Sequence, residues 1–319
     1  MKILAIQNRM GIGDMVIFIP FIEAISKKYQ TPISILVKEN SKAKEYLIKN
    51  KYINDIIILD RTNKSGRHDG ISGTFNLVND LKKYKFEKVF IFNSSLRYNL
   101  VSRLAGIKSI FQYPLFEKKN QHVIQAAQSF IKTKLQTDVK SNPIINLDPD
   151  YIDQAKTKYK INKNQINILL GIGGSGSTKR IPAKKFINFM EMVTKKKDCK
   201  FFLATGTKNE EQSILKEIQE SKFQDRCIPL DKIKLSETLP IIKNCDIAIC
   251  NDSSFSHLSA ALEIPTIVLM SDTPLLYGNY SPRMYPVIPD GEETVTHNTL
   301  GKEKINPEKI FNLFNKILN

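Results

Sequence analysis

The chain has 319 residues, roughly twice the size of a common single domain, so two domains are the first expectation. Hydrophobic residues make up 41% and charged residues 25%, which is an ordinary globular composition. The 48 lysines and arginines and 32 aspartates and glutamates give a formal net charge of +16. No apolar run approaches the ~18 residues of a membrane-spanning helix. The four cysteines form no CxxC pair, so disulfide-stapled secreted proteins and structural zinc domains are also excluded.

The excess positive charge has two explanations. Lysine-rich helix faces can simply be solvated, as at Lys195, Lys196 and Lys197. The alternative is a surface for polyanions such as nucleic acid, anionic lipid head groups or phosphorylated glycan. Nucleic acid is disfavoured because the chain has no zinc-finger spacing, RNP-type aromatic motif or continuous basic helix. The first six residues are too short for a signal peptide and resemble a core strand, which predicts a cytoplasmic protein.

Short apolar runs alternate with amphipathic segments along the whole chain, and this alternation starts twice. Such runs joined by helices predict parallel sheets covered on both faces. We therefore predict an α/β fold with two Rossmann-like doubly wound domains. The first series of strands is expected at residues 3–7, 33–37, 56–59, 89–92 and 109–113. The second is expected at residues 166–172, 201–205, 227–229, 247–250 and 266–270.

The boundary between the domains is expected near the segment 144–150. The predicted N-terminal domain spans residues 1–147 and the C-terminal domain spans residues 148–306. Asp148 and Asp150 flank a proline before a helix, which favours a turn and an N-cap over a metal-binding DxD motif. Residues 60–73 lack periodicity and predict a mobile surface loop.

The first candidate site follows the first strand. Gly11 and Gly13 permit a tight turn and let a substrate approach the backbone. Asp14 is expected at the start of the next helix, at the sheet edge where ligands of such folds bind. Asp14 can act there as a functional carboxylate or simply as the N-cap of the helix. A dinucleotide site is disfavoured because Val16 stands where the third glycine is required.

The second candidate site is the glycine-rich turn 171–180. Its backbone amides, hydroxyls and two cations follow a strand and precede a helix, which is typical of a phosphate cradle. An NAD site would require an acidic residue after the next strand, and this residue is missing. The lysine of a Walker A motif is missing as well. We predict that Ser175, Thr178 and Lys179 hold a nucleoside diphosphate, the alternative being a glycine-rich turn with exposed cations.

The third candidate site is the segment 245–258. A strand ends at Cys250, and small polar residues then cover the N-terminus of a helix predicted at 255–262, which suits another phosphate. A Ser-His-Asp hydrolase is disfavoured because no GxSxG elbow is present. The alternative is N-capping by Asp252 or Ser253, with His257 packed in a domain interface.

Five motifs in this order resemble glycosyltransferase family 9, the bacterial ADP-heptose:lipopolysaccharide heptosyltransferases. They are the strand and turn at 2–4 and 11–14, the segment 96–106, the segment 179–182, Gly206 with Glu210, and the segment 251–262. The resemblance implies the GT-B fold, in which a cleft separates two Rossmann-like domains. It also implies that the terminal helix, residues 307–319, packs back on the N-terminal domain.

The resemblance further implies an inverting sugar transfer in which Asp14 is the general base and Lys179 neutralises the departing diphosphate. Amides at Ser253 and Ser254 would assist Lys179, and Glu210 would contact the nucleotide ribose. The implied donor-binding residues are Gly174, Ser175, Thr178, Glu210, Asp252, Ser253, Ser254 and His257. The implied acceptor-binding residues are Gly11, Gly13, Arg97 and Arg103. No cofactor or metal is implied, and Mg²⁺ is not indicated.

The substrates implied are ADP-heptose and an anionic, lipid-linked glycan of the lipopolysaccharide type, with the enzyme peripheral to the inner face of the cytoplasmic membrane. Ser254-Phe255 and Glu263 depart from the residues usual in the family, so a different nucleotide sugar is an alternative donor. A nucleotide-sugar epimerase of the same fold and a binding protein with a lapsed site are further alternatives. A basic face that binds anionic lipid through charge alone is expected from Lys82, Lys83, Arg97, Arg103, Lys118 and Lys119.

Overall fold

The structure is a computed structural model that describes residues 1–9, 11–62, 65–115 and 122–318. The chain divides into two compact units, Met1–Pro143 and Ile144–Asn319. The division falls four residues before the boundary that the sequence suggested. No helix among the described residues is both long and apolar enough to cross a membrane.

Unit 1 is a five-stranded parallel sheet with helices on both faces. Its strands are β1 (Ile3–Gln7), β2 (Ile33–Lys38), β3 (Ile53–Leu59), β4 (Lys88–Ile91) and β5 (Ser109–Gln112). Its helices are α1 (Ile12–Tyr29), α2 (Gly70–Lys82), α3 (Leu96–Leu104) and α4 (Val123–Leu135). Helices α2 and α3 pack on one face with Leu4 and Ile6 of β1. On the other face, Phe90 of β4 contacts Phe130 of α4.

Unit 2 is a six-stranded parallel sheet. Its strands are β6 (Ile166–Gly171), β7 (Cys199–Ala204), β8 (Cys227–Pro229), β9 (Ile247–Asn251), β10 (Thr266–Leu269) and β11 (Met284–Val287). Its helices are α5 (Pro149–Lys158), α6 (Ala183–Thr194), α7 (Asn209–Gln219), α8 (Leu235–Lys243), α9 (Ser254–Ala261) and α10 (Pro307–Leu318). Strand β11 was not predicted, because Tyr285 and Pro286 interrupt its short apolar run.

The two sheets share one strand order. The first runs β3-β2-β1-β4-β5, and the second, taken from its other edge, runs β8-β7-β6-β9-β10-β11. In each sheet the first strand of the unit is central, and the order reverses beside it. The crevice outside the carboxyl ends of the strands at such a reversal is where open α/β sheets bind ligands. The prediction of two doubly wound parallel-sheet domains is therefore confirmed.

The prediction that the terminal helix packs on the N-terminal domain is wrong. Ile310 and Phe314 of α10 belong to the buried core of unit 2. The ring centroids of Phe314 and Phe189 of α6 lie 5.5 Å apart in an edge-to-face arrangement. The apolar side of α10 is therefore buried against α6 in unit 2.

The prediction of a mobile surface loop at residues 60–73 is corrected in one respect, because the described part of the segment contains the start of a helix and several side-chain hydrogen bonds. The carboxylate of Asp69 accepts hydrogen bonds from the Thr62 and Gly66 amides, each at 3.0 Å. The His68 ring accepts one from the Asp60 amide at 3.0 Å and contacts Asp80 at 3.1 Å. Helix α2 begins within the segment, at Gly70. Side-chain bonds to backbone amides order this segment without any apolar periodicity.

We expect Phe314→Ala to destabilise unit 2, because a large-to-small change in a filled core typically costs about 3–5 kcal/mol. Urea unfolding measures the loss, and Asn312→Ala on the exposed side of the same helix is the matched control. Hydrogen exchange should show lost protection in α6. Loss of protection in α1 instead would contradict the placement of α10.

Candidate functional site

The second candidate site lies where the strand order of unit 2 reverses, between β6 and β9. Gly171 at the end of β6 is in register with Cys250 of β9. The chain leaves both strands at this edge, so the glycine-rich turn and the segment that begins at Asp252 are neighbours. The Asn251 side-chain amide joins them, because Nδ2 donates to the carbonyls of Ile172 at 2.8 Å and Gly173 at 3.2 Å.

The glycine-rich turn is packed too closely at Gly173 for a larger residue. A Cβ added at Gly173 would lie 2.8 Å from Oε1 of Glu211 and 3.0 Å from Oγ1 of Thr205. Glu211 is 7% exposed, and its carboxylate accepts a hydrogen bond from the Gly174 amide at 2.9 Å. The start of the turn is thus shaped around a buried carboxylate.

Glu211 is a site residue that the sequence reasoning missed in favour of its neighbour Glu210. Glu210 is exposed and forms an ion pair with Arg180, whose Nη1 also donates to the Gly174 carbonyl at 3.0 Å. A signal for Glu211 was available, because it shares the inner face of α7 with Leu215 and Ile218.

Lys179 and Asp252 form the central ion pair of the site. Lys179 Nζ donates to Oδ2 of Asp252 at 2.8 Å, and the carboxylate is 5% exposed. The hydroxyl of Thr273 donates to the same oxygen. Burial alone would raise the pKa of Asp252, but the charges of Lys179 and His257 and these hydrogen bonds outweigh it and lower the pKa below its ordinary value.

His257 lies on the other side of the same carboxylate. Its Nε2 is 4.0 Å from Oδ1 of Asp252, and its Nδ1 is 2.9 Å from the hydroxyl of Tyr280. The two rings stack with centroids 5.6 Å apart. Burial, reinforced by the Asp252 charge, raises the pKa of Tyr280 far above its ordinary value. The phenol therefore stays protonated and orients His257.

The N-terminus of α9 opens at the same edge. Ser253 takes the N-cap position in extended backbone, but neither its hydroxyl nor another side chain caps the helix. The Ser253 hydroxyl is buried without a partner, as are Oγ1 of Thr205 and Oδ1 of Asn251. The alternative of a simple N-cap is thus not what the structure shows. Unpartnered buried polar atoms beside an uncapped helix terminus are typical of a site that awaits a ligand.

The other two predicted phosphate ligands, Ser175 and Thr178, lie in different surroundings. Ser175 is exposed, whereas Thr178 follows Gly176 in a short 3-10 helix, Ser177–Lys179. The carbonyl of Thr178 accepts a hydrogen bond from the Ser271 hydroxyl at 2.9 Å. A cation, helix-terminal amides and unpartnered hydroxyls therefore converge at this edge, and together they suit an anionic group such as a diphosphate.

The first candidate site lies at the reversal of the sheet in unit 1. Gly11 has a φ of 106° and is itself the N-cap of α1, a conformation that favours glycine. Asp14 lies three residues later, so it is not the N-cap. Its Oδ1 accepts a hydrogen bond from Nε of Arg9 at 2.9 Å. The carboxylate is thus partly exposed and held by a cation in the turn that precedes its helix.

Further polar groups that the sequence analysis missed lie near Arg9. His122 caps α4 by accepting a hydrogen bond from the Ile124 amide. Burial, followed by the charge of Arg9, lowers the pKa of His122 to about 4. Burial raises the pKa of Tyr113, an effect that Arg9 opposes, and the Tyr113 hydroxyl is buried without a partner. Both amide atoms of Gln7, at the end of β1, are also unpartnered. This edge therefore has unused hydrogen-bonding capacity of its own.

The two predicted acceptor arginines lie at opposite ends of α3. Arg97 is in the first turn, where Nη2 donates to the His68 carbonyl and Nε is buried without a partner. Arg103 is in the last turn and donates to Oδ1 of Asn99 at 2.8 Å. Six residues of helix separate them by about 9 Å along the axis. Of the two, the structure brings only Arg97 to the carboxyl edge of the sheet. Among the described residues, no group of three or more His, Cys, Asp and Glu side chains is arranged to hold a metal ion.

The fold and the second candidate site together define a two-domain α/β protein with a candidate anion site at a strand-order reversal. The model of glycosyltransferase family 9 (heptosyltransferase) matches residues 79–305, which include Lys179 and Asp252 but not Asp14. The chain belongs to this family. This membership confirms the resemblance noted in the sequence.

The chain is also similar to individual members. It is 27% identical over 162 residues to lipopolysaccharide heptosyltransferase 1 of Campylobacter coli, a match that spans 50% of this chain and 47% of that protein. The structure of E. coli ADP-heptose LPS heptosyltransferase II superimposes with a TM-score of 0.75 at 17% identity, covering 100% and 98% of the two chains. A family 9 glycosyltransferase from Veillonella parvula DSM 2008 superimposes with a TM-score of 0.79 at 18% identity, covering 99% and 97%. At these identities the superpositions establish a shared fold.

We expect the stabilising contribution of the Asp252 carboxylate to disappear in acid. Because its folded-state pKa lies below the ordinary value of 3.8, this contribution is complete above about pH 5 and is lost as the pH falls through the folded-state pKa. The difference in unfolding free energy between wild type and Asp252→Asn should be about 1–3 kcal/mol at pH 7 and shrink below about pH 4. Urea titrations across a pH series measure it, with the exposed Asp225→Asn as control. A difference that grows in acid would contradict this assignment.

Proposed function

We propose that this protein is a heptosyltransferase of lipopolysaccharide biosynthesis that uses a nucleotide-diphosphate sugar, with ADP-heptose as the first candidate. The observation that carries the proposal is the anion site of unit 2. There Lys179, the uncapped N-terminus of α9 and unpartnered hydroxyls meet in a chain of glycosyltransferase family 9. The names of the Campylobacter and E. coli relatives support the sugar and the acceptor class.

The proposed reaction is a direct displacement that inverts the anomeric carbon. An acceptor hydroxyl attacks this carbon and gives its proton to the carboxylate of Asp14. The new bond joins the acceptor oxygen to the anomeric carbon. The bond from that carbon to the diphosphate oxygen breaks, and its electron pair leaves on the diphosphate. General-base catalysis and stabilisation of the leaving group are the two contributions that protein side chains make to this chemistry.

On unit 2, Lys179 stabilises the charge that develops on the diphosphate. Asp252 positions Lys179, since it is buried and holds the ammonium from one side. The amides of Ser253 and Ser254 begin the uncapped helix and are available to phosphate oxygens. Glu210 is exposed beside the glycine-rich turn and is the proposed partner of the nucleotide ribose, while Glu211 shapes the turn from within.

On unit 1, Asp14 is the proposed base and Arg9 keeps its carboxylate oriented. Arg97 offers a guanidinium near the same edge, and Tyr113 and Gln7 offer unpartnered polar atoms to the acceptor. The acceptor is an anionic lipid-linked glycan, for which a basic unit is the expected partner. The proposed location is the inner surface of the cytoplasmic membrane. No cofactor is proposed.

One departure from the family pattern has a structural explanation. Glu263 has a φ of 65°, a left-handed conformation that favours glycine, and it follows directly after the end of α9. Its carboxylate lies 3.4 Å from Nζ of Lys243, which also donates to the carbonyl of Leu262 at 2.7 Å. Glu263 therefore ends a helix at the end opposite the anion site. Of the two departures, Ser254-Phe255 lies at the N-terminus of α9 and is the proposed determinant of donor selection.

The proposed activity is tested by incubating the protein with ADP-heptose and truncated lipopolysaccharide, and by measuring released ADP and the mass of the glycan. Wild type should transfer one sugar. Asp14→Asn should lower kcat by at least ~10²-fold with little change in donor affinity, since it removes a general base. Asp138→Asn, at an exposed carboxylate of the same unit, is the matched control. Near-wild-type turnover of Asp14→Asn would reject Asp14 as the base, and absence of transfer with any ADP-, GDP- or UDP-sugar would reject the function.

We expect Lys179→Ala to weaken ADP binding by about 10-fold or more and to leave adenosine binding unchanged, because the lost interaction is with the diphosphate. Calorimetry of both ligands measures the two affinities. Lys184→Ala, at an exposed lysine of α6, controls for net charge. The double variant Lys179→Ala/Asp252→Asn should recover part of the ADP affinity, since it removes the unbalanced carboxylate. Equal losses for ADP and adenosine would contradict the assignment of Lys179 to the phosphates.

A further inference from the structure

The positive charge of the chain belongs almost entirely to unit 1. Residues 1–143 contain 24 lysines and arginines against 11 aspartates and glutamates, a formal charge of +13 of the total +16. Unit 2 contains 24 basic and 21 acidic residues, which leaves +3. The difference in charge does not come from lysine and arginine, because both units contain the same number of basic residues. Unit 1 instead has few acids, which creates a positive field on that unit alone.

The same unit exposes large apolar side chains on two helices that pack against each other, α2 and α3. We call this surface the α2–α3 face. Its apolar residues are between 44% and 81% exposed, and they are Ile71, Phe75, Leu96, Leu100 and Leu104. In each helix they recur every four residues, so they form a stripe along the helix. These stripes are separate from the residues that each helix buries against the sheet, such as Leu77 of α2 and Val101 of α3.

The topology places the α2–α3 face next to the first candidate site. Helices α2 and α3 follow the parallel strands β3 and β4, so both helices begin at the carboxyl edge of the sheet. Asp14 lies in the first turn of α1 at that edge too. Ile71 and Leu96 lie in the first turns of α2 and α3, and the stripes run from there over the outside of the helical layer.

Basic side chains accompany the apolar stripes. Between Gly70 and Lys108 the chain has seven lysines and arginines but only two acids, Asp80 and Glu87. Asp80 is already paired with Arg67 and Lys83. Lys82, Arg103 and Lys108 are exposed on these helices or directly after them. Lys118 and Lys119, which the sequence analysis included in the basic face, lie outside the described residues.

We propose that the α2–α3 face docks on an anionic lipid bilayer, with its apolar side chains inserted among the acyl chains and its lysines and arginines against the head groups. The proposal rests on the proposed function for the identity of the lipid-linked acceptor, but not for the binding itself. Exposed apolar side chains on two neighbouring helices, accompanied by exposed lysines and arginines on a unit of formal charge +13, are the pattern of an interfacial membrane contact. The sequence led us to expect binding through charge alone, but such binding would not explain why the apolar side chains of the α2–α3 face are exposed.

The first test is co-sedimentation with vesicles of phosphatidylcholine containing 30% phosphatidylglycerol and with vesicles of phosphatidylcholine alone. Wild type should bind the anionic vesicles, and part of the binding should persist at 1 M salt, where charges are screened. Phe75→Ser/Leu100→Ser should lower the partition coefficient about 10-fold or more, since each substitution removes one inserted apolar side chain. Ile48→Ser/Leu300→Ser, at exposed apolar residues outside the α2–α3 face, should leave it unchanged.

A second test uses the absence of tryptophan from the chain. Phe75→Trp and Leu100→Trp each introduce a single indole into the α2–α3 face, and Ile48→Trp introduces one elsewhere. On anionic vesicles that contain brominated lipid, the first two should be quenched and shifted to the blue, and the third should not. Equal behaviour of all three variants would overturn the proposal even if the protein binds the vesicles.

Two further measurements separate the alternatives. If the face joins two copies of the chain, sedimentation velocity will show a wild-type dimer that Phe75→Ser/Leu100→Ser converts to a monomer, and this outcome contradicts membrane docking. With an acceptor dispersed in detergent, the double variant should keep wild-type turnover, whereas with the acceptor in vesicles it should lose about 10-fold. Unchanged vesicle binding by the double variant, together with wild-type turnover on both acceptors, would overturn the proposal and leave the proposed function intact.

Discussion

The buried carboxylate of Asp252 is the constraint on which the site in unit 2 depends. It lies directly after a central strand, 5% exposed, and a charge in that place must be balanced. Lys179 supplies the balance across the reversal of strand order, and Thr273 and His257 complete it. The glycine-rich turn must therefore carry its lysine to within 2.8 Å of the carboxylate. The ion pair thus fixes the position of the cation before any ligand is present.

Both units use one sheet topology for different chemistry. In unit 2 the edge at the reversal presents amides, hydroxyls and one tethered cation, which suits a diphosphate. In unit 1 the corresponding edge presents Asp14 with Arg9, together with unpartnered polar atoms of Gln7 and Tyr113. The net charge also differs between the units, because unit 1 carries +13 of the total of +16. A shared fold can therefore carry the proposed donor function and the proposed acceptor function on separate surfaces.

The features that sequence reasoning left out or misassigned share one property: their environment comes from distant parts of the chain. Glu210 and Glu211 are adjacent in sequence, and only the packing of α7 against the glycine-rich turn decides which carboxylate is buried. The terminal helix has an apolar stripe that predicts a groove but not which groove, and α6 provides it. The segment at residues 60–73 has no periodicity, yet the carboxylates of Asp60 and Asp69 order it through backbone amides.

The sequence by itself determined the two parallel sheets, their approximate strands, and the three turns at which the candidate sites lie. Apolar runs, glycines and helix starts are local signals, because each depends on the backbone geometry of a few neighbouring residues. The tertiary structure alone decided which carboxylates are buried, that Gly11 rather than Asp14 caps α1, and which helix faces stay uncovered. The apolar stripe of α3 looks like core in the sequence. Only the assembled sheet shows that Tyr98 and Val101 already fill that role, which leaves Leu96, Leu100 and Leu104 on the surface.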